Sequence, residues 1–300
     1  MSDAPVSERP ESGPQRRLDI RKTYKLFVGG AFPRSESGRS YPVLSNGGDL
    51  LAYAAKASRK DLRDAVLAAR NAFGGWSGAT AYNRGQVLYR VAEMMEGRAA
   101  QFAAEVASAE GLRPAKADAV VSAAIDRWVW YAGWSDKVSQ VAGGANAVAG
   151  PYFNFSVPEP TGVVVTFAPA DSSLLGLVSV LAPVIATGNT AVVIASESRP
   201  LPSVVLAEVL ATSDVPAGVV NVLTGSAAEL GLVAAGHMDV NAIDLTGAPP
   251  ADRAALERAA AGNLKRVITE RLGERWSDPP GTRRLLATLE IKTVWHPAGI

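Results

Sequence analysis

The 300-residue sequence contains no cysteine, which removes disulfides, thiolate metal sites and any cysteine nucleophile from consideration. Histidine is almost as scarce. His237 and His296 are the only two, too few for a histidine metal cluster and poor material for a histidine-dependent triad, so no metal site is expected. His237 closes a helix, where an imidazole suits the negative dipole end, and His296 follows a strand beside Pro297. Net charge is nearly absent as well: 30 Lys+Arg stand against 29 Asp+Glu, leaving +1 and no electrostatic footprint for nucleic acid or an anionic membrane. The longest apolar stretch, near Leu174 to Ala186, is too short and too interrupted to span a bilayer. With 48% hydrophobic and 20% charged residues, the composition is that of a neutral, cytoplasmic globular protein.

Residues 1–22, rich in Pro, Ser, Arg and Glu and without an apolar h-region, read as a disordered tail and as neither signal peptide nor membrane anchor. From Tyr24, the pattern predicts short strands around Gly-Gly turns and a strand leaving at Leu51–Ala55. Ser58 then caps a surface helix with Asp61 in its first turn and Leu62, Ala65, Val66, Ala69 and Phe73 at helical spacing. The helical period returns over Asn83–Ala109, with Leu88, Val91, Ala92, Met95, Phe102 and Val106, and ends at Glu110-Gly111. A third helix from about Ala115 carries Val121, Ile125, Trp128, Tyr131 and Trp134 on one face, a stripe read as core packing rather than a ligand box.

Residues 143–160 alternate apolar and polar side chains in the manner of a hairpin with one wet face. Beyond them, strands are predicted at Val163–Phe167, Thr190–Ile194, Val219–Thr224, Ala242–Leu245 and Arg266–Glu270. Helices are predicted between them at about Ser172–Ala186, Pro202–Ala211, Ala227–Ala235 and Pro250–Ala261. This alternation predicts an α/β fold: an open, Rossmann-like parallel sheet with flanking helices. Its organising stretch is Gly162–Asn189, strand, turn and apolar helix, the arrangement in which an open sheet offers a helix N-terminus to a phosphate. The sequence WSDPPGTRR is then a turn region, and LLATLEIKTVWHPAGI a β-prone strand.

Taken together and in order, AYAAKASRKDLRDAVLAARNAFGGW, GVVVTFAP, APVIATGNTAVV, PAGVVNVLTG, DLTGA and NLKRVITE resemble the aldehyde dehydrogenase superfamily, from about Tyr24 to Glu274. The resemblance implies a nucleotide-binding-type domain over 23–142 and 161–274 and an oligomerisation arm over 143–160 and 285–300. It implies that 275–284 is a linker standing where the family has a catalytic domain. In that family a thiolate attacks the aldehyde, oxyanion donors hold the charge, NAD(P) takes the hydride and a glutamate activates water.

Position by position, the chain departs from that pattern. The oxyanion turn Pro-Trp-Asn-Phe-Pro is matched by Pro169, Ala170, Asp171, Ser172 and Ser173, so an amide donor has become an acidic acceptor. The Lys-Pro-x-Glu of the ribose site is matched by Ile194, Ala195, Ser196 and Glu197, which keeps one of two hydroxyl-binding groups and implies a loss of about 1.5–3 kcal/mol in cofactor affinity. The glycine turn is matched by Gly225, Ala227 and Gly231, and the Thr-Gly-Ser turn by Thr246, Gly247 and Ala248, ahead of Pro249 and Pro250, which lack amide donors. Glu270 aligns with the general base, but beside Arg271 it reads as a surface ion pair.

Three functions stay open on these residues. The first is a catalytically inactive structural or regulatory subunit, partnered through its arm with a full-length aldehyde dehydrogenase, with Asp171 and Glu270 as vestigial catalytic positions and no cofactor required. The second is an NAD(P)-binding or sensing module using Glu197, Gly225, Thr246 and Gly247 with weakened affinity. The third is a residual NAD(P)-dependent aldehyde oxidoreductase, which would need Ser172 or Ser173 as nucleophile.

Overall fold

The computed structural model describes residues 20–271 and 273–298; the tail expected over 1–22 lies outside the described residues as far as residue 19. The chain opens with three short strands, β1 (Thr23–Tyr24), β2 (Ser40–Leu44) and β3 (Leu50–Ala55), which form a small sheet in the order β1-β3-β2. Helix α1 (Arg59–Gly78) follows with the capping box its sequence predicts: the Ser58 side chain accepts from the Asp61 N–H, and the Asp61 carboxylate accepts from the Ser58 N–H at 2.7 Å.

One helix was expected over Asn83–Ala109, but the structure has two, α2 (Ala81–Glu96) and α3 (Ala99–Glu110). The break falls at Gly97 and Arg98, where glycine's poor helix propensity coincides with a non-helical Arg98 backbone (φ −120°, ψ 15°). A hydrophobic period that runs across the break concealed it, because both helices turn the same kind of face to the core. Gly111 ends α3 in the left-handed conformation (φ 69°). Helix α4 (Pro114–Trp134) then buries Val121, Ile125, Trp128 and Tyr131, as core packing requires.

After a short α5 (Val138–Ala142) come the hairpin strands β4 (Gly144–Asn146) and β5 (Tyr152–Pro160), then the alternating region. This runs β6 (Val163–Phe167), α6 (Leu175–Ala186), β7 (Thr190–Ile194), α7 (Leu201–Leu210), β8 (Val220–Leu223), α8 (Ala227–Gly236), β9 (Ala242–Asp244), α9 (Pro250–Ala260) and β10 (Arg266–Ile268). The five strands form an entirely parallel sheet in the order β10-β9-β6-β7-β8. Strands β6, β7 and β8 are buried at every position, the signature of a sheet covered on both faces. Val164, Ala191, Val193, Val220 and Val222 pack with α2, α3, α4, α6 and α7 on one face. Val163, Val165, Phe167, Val192 and Ile194 pack with α1, α8 and α9 on the other.

Helix α6 begins at Leu175 rather than Ser172, because Ser172 acts ahead of it: its Oγ accepts the Gly176 N–H at 3.0 Å. A strand was expected from Leu285, but Arg283–Ala287 form a last helical turn, α10, and the terminal strand β11 is Leu289–Pro297. β11 pairs antiparallel with β5 over all nine of its residues, giving a third sheet, β11-β5-β4, that projects from the body. The single wet face expected for the hairpin is not what forms. Tyr152, Ile291 and Trp295 lie on one face of this arm and Phe153 on the other, each about half exposed at 46, 53, 58 and 55%. Among the described residues, no helix is long and apolar enough to cross a membrane.

Candidate functional site: the cleft at the carboxyl ends of the sheet

The turns leaving β6, β9 and β10 face one another across a cleft of about 540 Å³, the place where an open α/β sheet receives a ligand. Asp171 comes from the first turn, Thr246 and Gly247 from the second and Glu270 from the third. Four of the six candidate residues therefore meet there, whereas Glu197 and Gly225 lie after β7 and β8, away from the cleft.

Each of the four is engaged within the protein. Asp171 accepts from the Trp276 indole N–H, with Nε1 at 3.2 Å from both carboxylate oxygens. The position at which an oxyanion donor is expected thus offers an acceptor, and that acceptor is in use. Glu270 pairs with Arg253 rather than with the neighbouring Arg271 its sequence suggested. Arg253 comes from the first turn of α9 and also donates to the carbonyls of Ala248 (3.3 Å) and Thr246 (3.2 Å), so one guanidinium ties two turns together. Its hydrogen bond holds the Glu270 carboxyl below the ordinary range, the opposite of what a general base working near neutral pH needs.

Thr246 serves β9. Its N–H donates to Asp244 Oδ1 at 2.9 Å and its hydroxyl to the same oxygen. Asp244 in turn forms a buried ion pair with Arg284, at 3.2 Å and with both side chains at most 7% exposed. Burial pushes the Asp244 carboxyl up, and Arg284 and the two Thr246 hydrogen bonds work against that push. Gly247 is required by packing: a Cβ there would lie 2.4 Å from the Phe167 carbonyl oxygen and 2.7 Å from the Pro169 nitrogen. Gly225 is likewise a close approach, with φ +135° and a would-be Cβ 3.0 Å from the Ala57 nitrogen.

Pro250 opens α9 and Pro249 is its N-cap, so two donors are missing from a helix N-terminus that would otherwise suit a phosphate. Ser172 and Ser173 are no better placed for nucleophilic work. Ser172 caps α6, and Ser173, 1% exposed, donates to Glu110 at 2.6 Å; neither lines the cleft. Among the described residues there is no group of three or more His, Cys, Asp or Glu that could hold a metal ion.

Of residues 275–284, expected as a linker, Trp276 closes one side of the cleft. Besides its bond to Asp171, Trp276 lies under the Arg284 guanidinium at 5.4 Å. The carbonyls of Trp276 and Asp278 accept from Arg127 of α4 at 3.0 and 2.8 Å. Sequence reasoning missed Trp276, Arg253, Arg284 and Arg127. The one available signal was a large aromatic and two arginines in a Pro/Gly turn, residues that a solvated linker has no use for.

Comparison with known proteins agrees with this geometry. The model of the aldehyde dehydrogenase family matches residues 33–275. An aldehyde dehydrogenase of Aspergillus niger is 32% identical over 247 residues, covering 82% of this chain and 49% of that protein. The crystal structure of HpcC from Thermus thermophilus superimposes with a TM-score of 0.79 at 30% identity, over 83% of this chain and 48% of that one. The NAD+ complex of an aldehyde dehydrogenase from Bacillus cereus does so with a TM-score of 0.78 at 28% identity, over 83% and 50%. The chain spans about half the length of these relatives. The family match over residues 33–275, most of the chain, establishes that it belongs to the aldehyde dehydrogenase family.

Proposed function

We propose that this chain is a non-catalytic aldehyde dehydrogenase-family subunit that assembles, through the β4-β5-β11 sheet, with a full-length aldehyde dehydrogenase. The observation that carries this reading is the engagement of Asp171 by Trp276: the oxyanion position is acidic and is closed by the segment standing where the family continues into its catalytic domain. The absence of any thiol in the sequence supports it. So does the arm, which keeps a full nine-residue pairing and presents aromatic rings on both faces. Rings left half exposed on a projecting sheet suit a protein partner.

The test is co-expression with a full-length aldehyde dehydrogenase, followed by affinity isolation and sizing. A mixed oligomer that is lost on Trp295→Asp and Phe153→Asp supports the proposal. A chain that is monodisperse alone and does not copurify with the enzyme refutes it.

A second reading, a nucleotide-binding module, is favoured by the likeness to an NAD+ complex and by the intact parallel sheet. The occupied Thr246 hydroxyl, the two prolines at α9 and the isoleucine at position 194 all argue for weakened affinity. Calorimetric titration with NAD and NADP decides between the readings, and no heat at millimolar cofactor removes the second. NADH formation with short aldehydes by the isolated chain would favour a residual oxidoreductase over both.

A further inference from the structure

A second cavity, of about 410 Å³, adjoins the cleft, shares Glu274 and Trp276 with it, and is lined by α4 and by residues among 271 and 273–284. Five arginines line it: Arg127, Arg271, Arg275, Arg283 and Arg284. The carboxylates that answer them are Glu274, bonded to Arg283 and Arg284; Asp278, bonded to Arg275; and Asp244, behind Arg284. Five guanidiniums against three carboxylates leave two positive charges over. They fall on Arg271, whose exposed side chain has no ion pair among the described residues, and on Arg127.

Arg127 is the informative one. It is 8% exposed, and its three hydrogen bonds all end on neutral oxygens: Ser179 Oγ at 2.6 Å and the Trp276 and Asp278 carbonyls. Glu274 and Asp278 favour its charge without bonding to it, and an anion in the cavity it faces would offset more of the cost of its burial. Tyr131, one turn further along α4, points independently the same way. It is 1% exposed and it lines this cavity beside Arg127 and Trp276. Burial pushes its pKa up to about 12, so it faces the cavity as a neutral hydroxyl able to donate to an anion.

We infer that this cavity, bounded by Arg127, Tyr131, Arg271 and Trp276, binds a small phosphate-bearing dianion. Two surplus charges match a dianion, guanidinium forks match phosphate oxygens, and the volume leaves room for a small organic group against Trp276. The site shares the Trp276 wall with the cleft and does not depend on the assembly proposed above.

The test is a thermal-shift and calorimetric titration of the full chain with inorganic phosphate and with glycerol 3-phosphate, against sodium chloride at matched ionic strength. Saturable binding is expected, with Tyr131→Phe weakening it by about two- to tenfold for one lost hydrogen bond. Arg271→Gln, an exposed change that leaves the fold alone, is expected to weaken it comparably. Tighter binding of glycerol 3-phosphate identifies a phosphomonoester as the ligand, and equal binding identifies the free ion. No shift beyond that of chloride overturns the inference, as does binding to which both variants are indifferent.

Discussion

The indole Nε1 of Trp276 lies 3.2 Å from both carboxylate oxygens of Asp171, across 105 residues of chain. Trp276 is at the same time held from above by Arg284 and through its carbonyl by Arg127. A residue that would be free in a flexible connection is thereby a fixed wall of the cleft.

On the non-catalytic reading proposed above, introducing the family's amide at this position should not confer aldehyde chemistry. Asp171→Asn supplies a donor but no thiolate, and Glu270 stays paired with Arg253. NADH formation with short aldehydes is expected to remain at background in this variant, as measured by absorbance at high enzyme concentration.

The buried Arg284–Asp244 pair should matter far more to folding than the exposed ion pairs do. Arg284→Met leaves Asp244 without its partner in a nearly dry site, so a loss of about 3–5 kcal/mol is expected. Arg284→Met combined with Asp244→Asn removes the stranded charge and should recover part of that loss. Urea unfolding of the two variants and the parent measures both effects.

Backbone packing by itself requires glycine at 247. In Gly247→Ala the new Cβ meets the Phe167 oxygen, the Ala168 carbon at 2.6 Å and the Pro169 nitrogen, none of which can swing away. A destabilisation of about 1–3 kcal/mol is expected, in the range of overpacked cores. Gly262→Ala has nothing within 4 Å of its Cβ and should stay within about 0.5 kcal/mol of the parent. Chemical denaturation with and without NAD separates the packing effect from any ligand effect.

Stability should fall in acid. Hydrogen bonds from Arg253 and Arg266 hold the Glu270 and Glu290 carboxyls below the ordinary range. At Glu274, desolvation is outweighed by the Arg271 N–H and the charges of Arg284 and Arg283, with the same result. A carboxyl whose folded-state pKa is depressed contributes stability that is present above its unfolded value and lost as the pH drops through its folded value. Glu105 acts in the opposite sense, because burial raises it, so protonation favours its folded form. At Glu208 desolvation is outweighed by hydrogen bonds from Arg98 and Lys22, so it too is lowered, whereas Asp244 is raised by burial as Glu105 is. Four groups outweigh two, and the urea midpoint is expected to be flat near pH 7 and to decline below about pH 4.5.

Much of the fold was legible along the chain. The strands over 163–167 and 190–194 and the Ser58 cap could be read because each depends on neighbours a few residues away. The parallel sheet followed from alternation alone, and the turns that carry Asp171, Thr246, Gly247 and Glu270 could be named before their meeting place was known. The break at Gly97 and Arg98 was hidden because a hydrophobic period does not register a change of helix axis. The α10 turn was hidden because Leu285 and Leu286 suit a strand as well as a helix.

Local pattern settled most of the strands and helices, apart from the break at Gly97 and the α10 turn, and that the sequence carries no thiol. The tertiary structure alone decided what the candidate residues are bonded to: Asp171 to Trp276, Glu270 to Arg253, Thr246 to Asp244 and Asp244 to Arg284. The reason is physical. A helix or strand is set by contacts a few residues apart, whereas the state of a carboxylate is set by whichever cation, donor or wall the whole fold brings within about 3 Å of it.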